Sequence, residues 1–261
     1  MDRTSLRYVH KAFCSKTRRI ERQILCSHSK ANSNSRRAFL QLIGGMALLM
    51  CLPSVFGEWE SPGYVYDDFL EFLTEARYNV FPVVEWETAK RTDKVNVALR
   101  HDACFNPYLA LKMANKENKR GIKSSYYLRI SDAYNISNQI EAFKGLESLG
   151  YEIGYHYDDM DKCDVQRVNS CAIESFKGNL AFLRGHFDIK SVSPHGGKFN
   201  YMLDQSDNWP QLGKEVGVIF AYHVPYDNYL SDPCLEYLKG VLERQRPGSL
   251  VELLAHPDNM H

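Results

Sequence analysis

The chain has 261 residues, 44% of them hydrophobic and 12% aromatic, enough to bury one large core and too apolar for a disordered chain. Its 32 Lys and Arg balance 32 Asp and Glu, yet residues 1–37 hold ten of the bases against only Asp2 and Glu21. The remainder carries 22 bases against 30 acids, which excludes nucleic acid as an expected partner.

The leading segment orders its parts as basic, apolar and cleavable. Arg36 and Arg37 precede an uncharged apolar run from Ala38 to Leu52, followed by Pro53 and small residues. This resembles a twin-arginine export signal, with Ser35, the arginine pair, Phe39 and Leu40 in their consensus places. The run is too short to span a bilayer comfortably. Cleavage is expected near Gly57, so that residues 1–57 form an N-terminal extension, 58–261 form the folded domain, and the mature protein has no stable membrane span. Cys104, Cys163, Cys171 and Cys234 then remain in a compartment that permits disulfides. Three pairings are possible. Cys163 and Cys171 would stand about 12 Å apart if one helix carried both, too far to bridge. No CxxC pair suggests a structural zinc site.

From residue 60 onward, helical and strand-like segments alternate. The spacing predicts a helix over Tyr66 to Arg77, a strand over Val95 to Arg100, a helix over Pro107 to Lys119 and a strand over Ser124 to Ile130. Next come a helix from Ile136 to Leu149, a strand from Tyr151 to Tyr157, a helix from Val165 to Gly185 and a strand from Ile189 to Ser193. Weaker patterns give a helix near Trp209 to Val216, a strand from Val218 to His223, a helix from Pro233 to Gln245 and a strand from Ser249 to Ala255. Such alternation implies parallel strands joined by helical crossovers, either an α/β barrel or a doubly wound sheet.

The predicted strands end on reactive side chains. "VALRHD" ends on His101 and Asp102, "SYYLR" on Arg129, and "EIGYHYDD" on His156, Asp158 and Asp159. "KSVSPHGG" brings His195, "IFAYH" His223, and "VELLAHPD" His256 and Asp258. In a parallel α/β fold all these ends share one rim, where such folds place their sites. His101 points away from its neighbours on a strand and is expected to be structural. Asp158 and Asp159 are expected to be solvated, with a sugar hydroxyl or the metal as a further use. Trp59, Trp86, Tyr157 and Trp209 are candidates to stack on sugar rings, although most aromatics fill the core. Neither a glycine-rich phosphate loop nor a serine-nucleophile elbow is present. A rim of His and Asp without a nucleophile points to metal-assisted hydrolysis.

Four segments in order, "RHDAC", "LESLGYEIGYHYDD", "SPHGG" and "LAHP", resemble the motifs of the polysaccharide deacetylases of the NodB-homology type, carbohydrate esterase family 4. The likeness is strongest to a branch whose first motif reads Arg-His-Asp-x-Asp, and it covers about residues 95 to 258. The resemblance implies an α/β fold, a distorted or incomplete (β/α) barrel of about seven parallel strands. It also implies metal-dependent hydrolysis of a non-peptide carbon–nitrogen bond, the deacetylation of an N-acetylated polysaccharide or glycan precursor. Asp102 corresponds to the catalytic base, His156 to the first metal-binding histidine, and His256 to the histidine that protonates the departing amine. Arg100, Arg129 and Asp158 are the candidate substrate contacts.

Two positions depart from the family. Its metal-binding Asp falls on Cys104, and its second metal-binding histidine falls on Met160. Cys104 can ligate zinc as a thiolate, and His195 can supply the missing imidazole from the neighbouring strand end, so the expected cofactor is a divalent metal, with zinc favoured. The alternative is a catalytically degenerate relative that binds glycan as an accessory to polysaccharide assembly. Replacing Arg36 and Arg37 by Lys is expected to abolish export, read as loss of the protein from the exported fraction of the producing cells.

Overall fold

The computed structural model describes residues 63–104, 106–130, 136, 139–163, 170–196, 209–231 and 235–259. The arginine pair, Trp59 and Cys234 lie outside them. Eight strands are present in chain order: β1 (Tyr78–Phe81), β2 (Val95–Ala103), β3 (Ser125–Leu128), β4 (Glu152–Tyr157), β5 (Ser191–Pro194), β6 (Ile219–Phe220), β7 (Asn228–Ser231) and β8 (Leu250–Leu254). Between them run α1 (Gly63–Leu73), α2 (Pro107–Asn118), α3 (Ile140–Ser148), α4 (Asp159–Lys162), α5 (Ser170–Arg184), α6 (Trp209–Val216) and α7 (Leu235–Glu243). None of these helices is long and apolar enough to cross a membrane.

Seven strands form one path, β6-β5-β4-β3-β2-β8-β7, and every pairing is parallel. The eighth, β1, pairs with Val95–Ala98 of β2, while β3 pairs with Arg100–Ala103. Because β8 pairs with Asn96–Arg100, β1 and β3 must share the opposite edge of β2, one after the other. Among the described residues β6 and β7 do not pair, so the barrel is incomplete, as the resemblance implied.

The two-residue period of the strands sorts their side chains between two environments. Val95, Val97, Leu99 and Ala103 of β2 join Ile153, Tyr155 and Tyr157 of β4 and Val251 and Leu253 of β8 in the main core, which also holds Phe69, Leu70, Phe143, Phe176 and Leu238 of the helices. Their alternates, Asn96, Arg100 and Asp102, Ser125, Glu152 and His156, Ser191 and Ser193, and Glu252, face the other way and are buried too. The interior of the half-barrel is therefore polar, closed by a smaller cluster that includes Phe81, Ala98, Tyr127 and Leu250. Glu152 illustrates how such groups are accommodated: it accepts hydrogen bonds from Ser125 Oγ (2.5 Å), Val84 N (2.9 Å) and Ser191 Oγ. Tyr127 crosses this interior to Ser191 (2.6 Å), over Gly154, where any Cβ would lie 2.5 Å from the ring.

His101 shows the other face of β2. It is fully buried against α2, with Nε2 2.6 Å from Glu117 Oε1 and Nδ1 2.8 Å from the carbonyl of Ala255. Both ring nitrogens thus face oxygen atoms that can accept. Glu117 also accepts from Tyr66 (2.6 Å), Ser124 (2.7 Å) and Tyr126 (2.9 Å). The structural role expected for His101 is what these contacts provide.

Several boundaries differ from the sequence expectation. β1 and β7 are additional strands of four residues each. The expected strand from Val218 to His223 narrows to Ile219–Phe220 and then tightens into a 3-10 turn at Ala221–His223. The separation expected between Cys163 and Cys171 does not hold either. Cys163 closes the single turn of α4 and Cys171 opens α5, so no one helix carries both, and they form a disulfide with Cα atoms 6.5 Å apart.

Burial alone would raise the pKa of Glu117, but His101 and the hydroxyl donors outweigh it and hold the carboxyl below its ordinary value. Its stabilisation is therefore complete above the unfolded carboxylate range and lost as pH falls through the lowered folded value. Glu117→Ala is expected to cost about 3–5 kcal/mol at neutral pH, because it leaves the buried groups of Tyr66, His101, Ser124 and Tyr126 without their acceptor. In urea unfolding the gap to wild type narrows in acid.

Candidate active site

The inner face of the sheet continues past the strand ends, and that continuation forms the site. On β2 it runs Arg100, Asp102, then Cys104 just beyond the strand; on β4 it runs His156, then Asp158. On β5 it runs Ser193, then His195, and on β8 Glu252, then, past the strand end, His256. Backbone bonds beyond the strands hold these extensions in register. His195 N donates to Tyr157 O (2.8 Å), and Ala255 N donates to Arg100 O (3.0 Å). His101 pins the Ala255 carbonyl from the outer face, fixing the residue next to His256.

Three ligand-type atoms converge at the rim. Cys104 Sγ lies 3.4 Å from His156 Nε2 and 3.5 Å from His195 Nδ1, and the two imidazole nitrogens are 3.1 Å apart. The rings meet nearly at right angles, 88°. A zinc ion bound tetrahedrally at about 2.3 Å from sulfur and about 2.05 Å from nitrogen sets S···N near about 3.6 Å and N···N near about 3.4 Å. The residues present therefore fit such an ion. His156 Nδ1 donates to Ser193 O (3.2 Å), which fixes the tautomer that leaves the Nε2 lone pair available. Burial lowers the His156 pKa to about 4 and also depresses that of His195, so both rings favour the neutral, ligating form. Burial pushes the Cys104 thiol well up, so without a cation it stays protonated.

Beside this trio sits a charged cluster. Arg100 is 1% exposed; its Nη1 contacts Glu252 Oε1 at 2.6 Å and its Nη2 contacts Asp102 Oδ2 at 3.1 Å. Tyr127 and Tyr222 present their rings to the guanidinium at 5.6 and 5.4 Å. One cation thus serves two carboxylates. Burial pushes both up, but Arg100 wins at Asp102, aided by His156 and His256, and holds it below the ordinary carboxylate value. At Glu252 burial, together with the repulsion of Asp102, outweighs the pull of Arg100, and its pKa rises to about 7. Asp102 Oδ2 is 3.9 Å from His156 Nε2, while its Oδ1 is buried and accepts no hydrogen bond.

The structure thus brings together Asp102, Cys104, His156, His195 and, as an electrostatic neighbour of Asp102, His256. Met160, where the family pattern has a histidine, is fully buried in the core. Arg100 is enclosed and spent on carboxylates, a placement that suits holding Asp102 rather than touching substrate. Asp158 and Asp159 are buried, not solvated as expected. Asp158 pairs with Arg129 (2.7 Å) and Lys162 (2.6 Å), and Asp159 accepts from Tyr155, Ser175 and Asn179 at 2.6, 2.6 and 2.7 Å. Tyr157 is core. Glu252 and Glu117 were missed by the sequence reading. The only signal was a lone carboxylate inside an otherwise apolar strand, "LVELL", and on the buried stripe of an amphipathic helix.

The chain matches no family model and no curated protein. Among solved structures it is similar to a family 4 carbohydrate esterase from Bacillus anthracis, with 18% identity and a TM-score of 0.40 over 76% of this chain and 79% of that one. It is also similar to a family 4 acetyl xylan esterase from Clostridium thermocellum in complex with a cobalt ion, with 17% identity and a TM-score of 0.42 over 62% and 73% of the two chains. A family 4 pseudoenzyme, also from Bacillus anthracis, gives 14% identity and a TM-score of 0.43 over 64% of this chain. The chain spans only 56% of that protein's length.

Proposed function

We propose that this chain is an exported, zinc-dependent hydrolase that removes acetyl groups from the amide nitrogen of an N-acetylated glycan. The observation that carries the reading is the triangle of Cys104 Sγ, His156 Nε2 and His195 Nδ1, spaced as a zinc ion requires, beside a buried carboxylate oxygen with no partner. Three protein ligands leave a coordination position open, the arrangement of catalytic rather than structural zinc. A thiolate in the set favours zinc over harder ions such as magnesium or calcium. Zinc bound there supplies Lewis acidity, polarising an amide carbonyl and making water a stronger acid.

The remaining steps belong to the protein. Asp102, kept ionised by Arg100, receives a proton from the attacking water at its bare Oδ1. The oxygen of that water forms the new bond to the acetyl carbon, and the carbon–nitrogen bond breaks. His256 delivers a proton to the departing nitrogen, so the products are acetate and a free amine. Arg129 and Lys162 share the single carboxylate of Asp158.

Elemental analysis of the purified protein is expected to find one zinc per chain, and none in Cys104→Ala or His195→Ala. Cys104→Asp, which restores the carboxylate of the family pattern, is expected to keep a metal but to relax the preference for zinc. Zinc-free wild type would remove the reading. Asp102→Asn is expected to retain zinc and to lose acetate release from N-acetylated chitin oligomers by about 10²–10⁴-fold. Glycan binding without acetate release, unchanged by Asp102→Asn, would instead select the non-catalytic accessory role.

A further inference from the structure

The buried charge cluster contains a mismatch that the reaction can use. Among the described residues, Arg100 Nε is a buried donor without a hydrogen-bond partner and Asp102 Oδ1 a buried acceptor without one. They belong to the same ion pair. A guanidinium beside a carboxylate ordinarily closes two parallel hydrogen bonds, which here would pair these two atoms. Instead Arg100 touches Asp102 through Nη2 alone, at 3.1 Å, while its shorter contact, 2.6 Å, goes from Nη1 to Glu252.

The register explains the pull. Glu252 pairs with Ala98, two residues before Arg100, and Arg100 pairs with Leu254. Glu252 therefore lies behind Arg100 along the inner face, on the side away from Asp102. The rings of Tyr127 and Tyr222 are set against the guanidinium, which restricts its swing. Extending the reading of Asp102 as the proton acceptor, we infer that Glu252 is a positioning residue: by drawing Arg100 back, it limits that arginine to one hydrogen bond on Asp102 and keeps Oδ1 bare for the proton. Without Glu252, Arg100 would close the second bond, and Asp102 would be paired at both oxygens and a poorer base.

Glu252→Leu removes the tether. In its crystal structure, beside that of wild type, Arg100 is expected to donate to both oxygens of Asp102. Its kcat on an N-acetylated chitin oligomer is expected to fall about tenfold or more, with KM and zinc content unchanged. Glu252→Gln keeps an acceptor for Nη1 and is expected to retain the single contact and most of the rate. Should Glu252→Leu not fold, Glu252→Asp, whose shorter side chain withdraws from Nη1, is expected to show the same second bond and the same loss. Oδ1 remaining bare in these variants, or Glu252→Gln losing as much rate as Glu252→Leu, would overturn the inference. If wild type releases no acetate at all, it is the deacetylase reading that fails, and the hydrogen bonds on Asp102 in the variant crystals still decide the role of Glu252.

Discussion

A guanidinium sealed inside a sheet has to be matched by charge where it lies, because burying an unpaired ion costs several kcal/mol. Arg100 is that group here, and much of the site's arrangement follows from satisfying it. Two carboxylates reach it, Asp102 from its own strand and Glu252 from the neighbouring β8, and the competition between them sets their states: Asp102 is held below its usual range and Glu252 is driven up to about 7. The carboxylate held in its ionised form is the one at the rim.

β2 supports this by serving two networks at once. Its inner face carries Arg100 and Asp102; its outer face carries His101, whose partner Glu117 comes from α2. Alternation keeps the two networks apart, so Arg100 and His101 do not compete for one another's carboxylates. They meet only through the chain at Ala255, whose N–H is held by the Arg100 carbonyl and whose carbonyl is held by the His101 ring. The residue after that double hold is His256. A side chain on a segment beyond a strand end thus inherits the rigidity of the sheet, which is what the proposed role of His256 as proton donor would require.

The parallel architecture and the rim could be read from the sequence because strands covered on both faces leave long apolar runs, and because the polar residues ending them occur in a fixed order. "RHDAC" looked redundant as a run of charges; a period of two resolves it into one outward group and three inward ones. What escaped the reading depends on contacts distant in sequence. Glu252 and Glu117 are unremarkable until Arg100 and His101 are set beside them across 152 and 16 residues. β1 and β7 are held by pairing with β2 and β8 rather than by a pattern of their own. The Cys163–Cys171 bridge depends on where one turn of helix stops, a boundary that spacing resolves poorly. The solvated state expected of Asp158 and Asp159 failed for a similar reason, since besides the nearby Lys162 and Tyr155 their partners are Arg129, just beyond β3, and Ser175 and Asn179 of α5.

The two departures from the family pattern are best understood together. Replacing a metal-binding carboxylate by Cys104 exchanges one anionic ligand for another once the thiol is deprotonated, so the formal charge around the ion is preserved while its ligand field becomes softer. Replacing the second histidine by Met160 would remove a neutral ligand, but Met160 is turned into the core and His195 of the next strand stands where it could supply one in the proposed site. Were zinc held there, net charge and ligand number would both match the family pattern, and with Asp102 alongside, the ion would meet two negative charges and two neutral imidazoles. The thiol and both imidazoles stand at ligand spacing beside a carboxylate whose second oxygen is buried and, among the described residues, accepts no hydrogen bond.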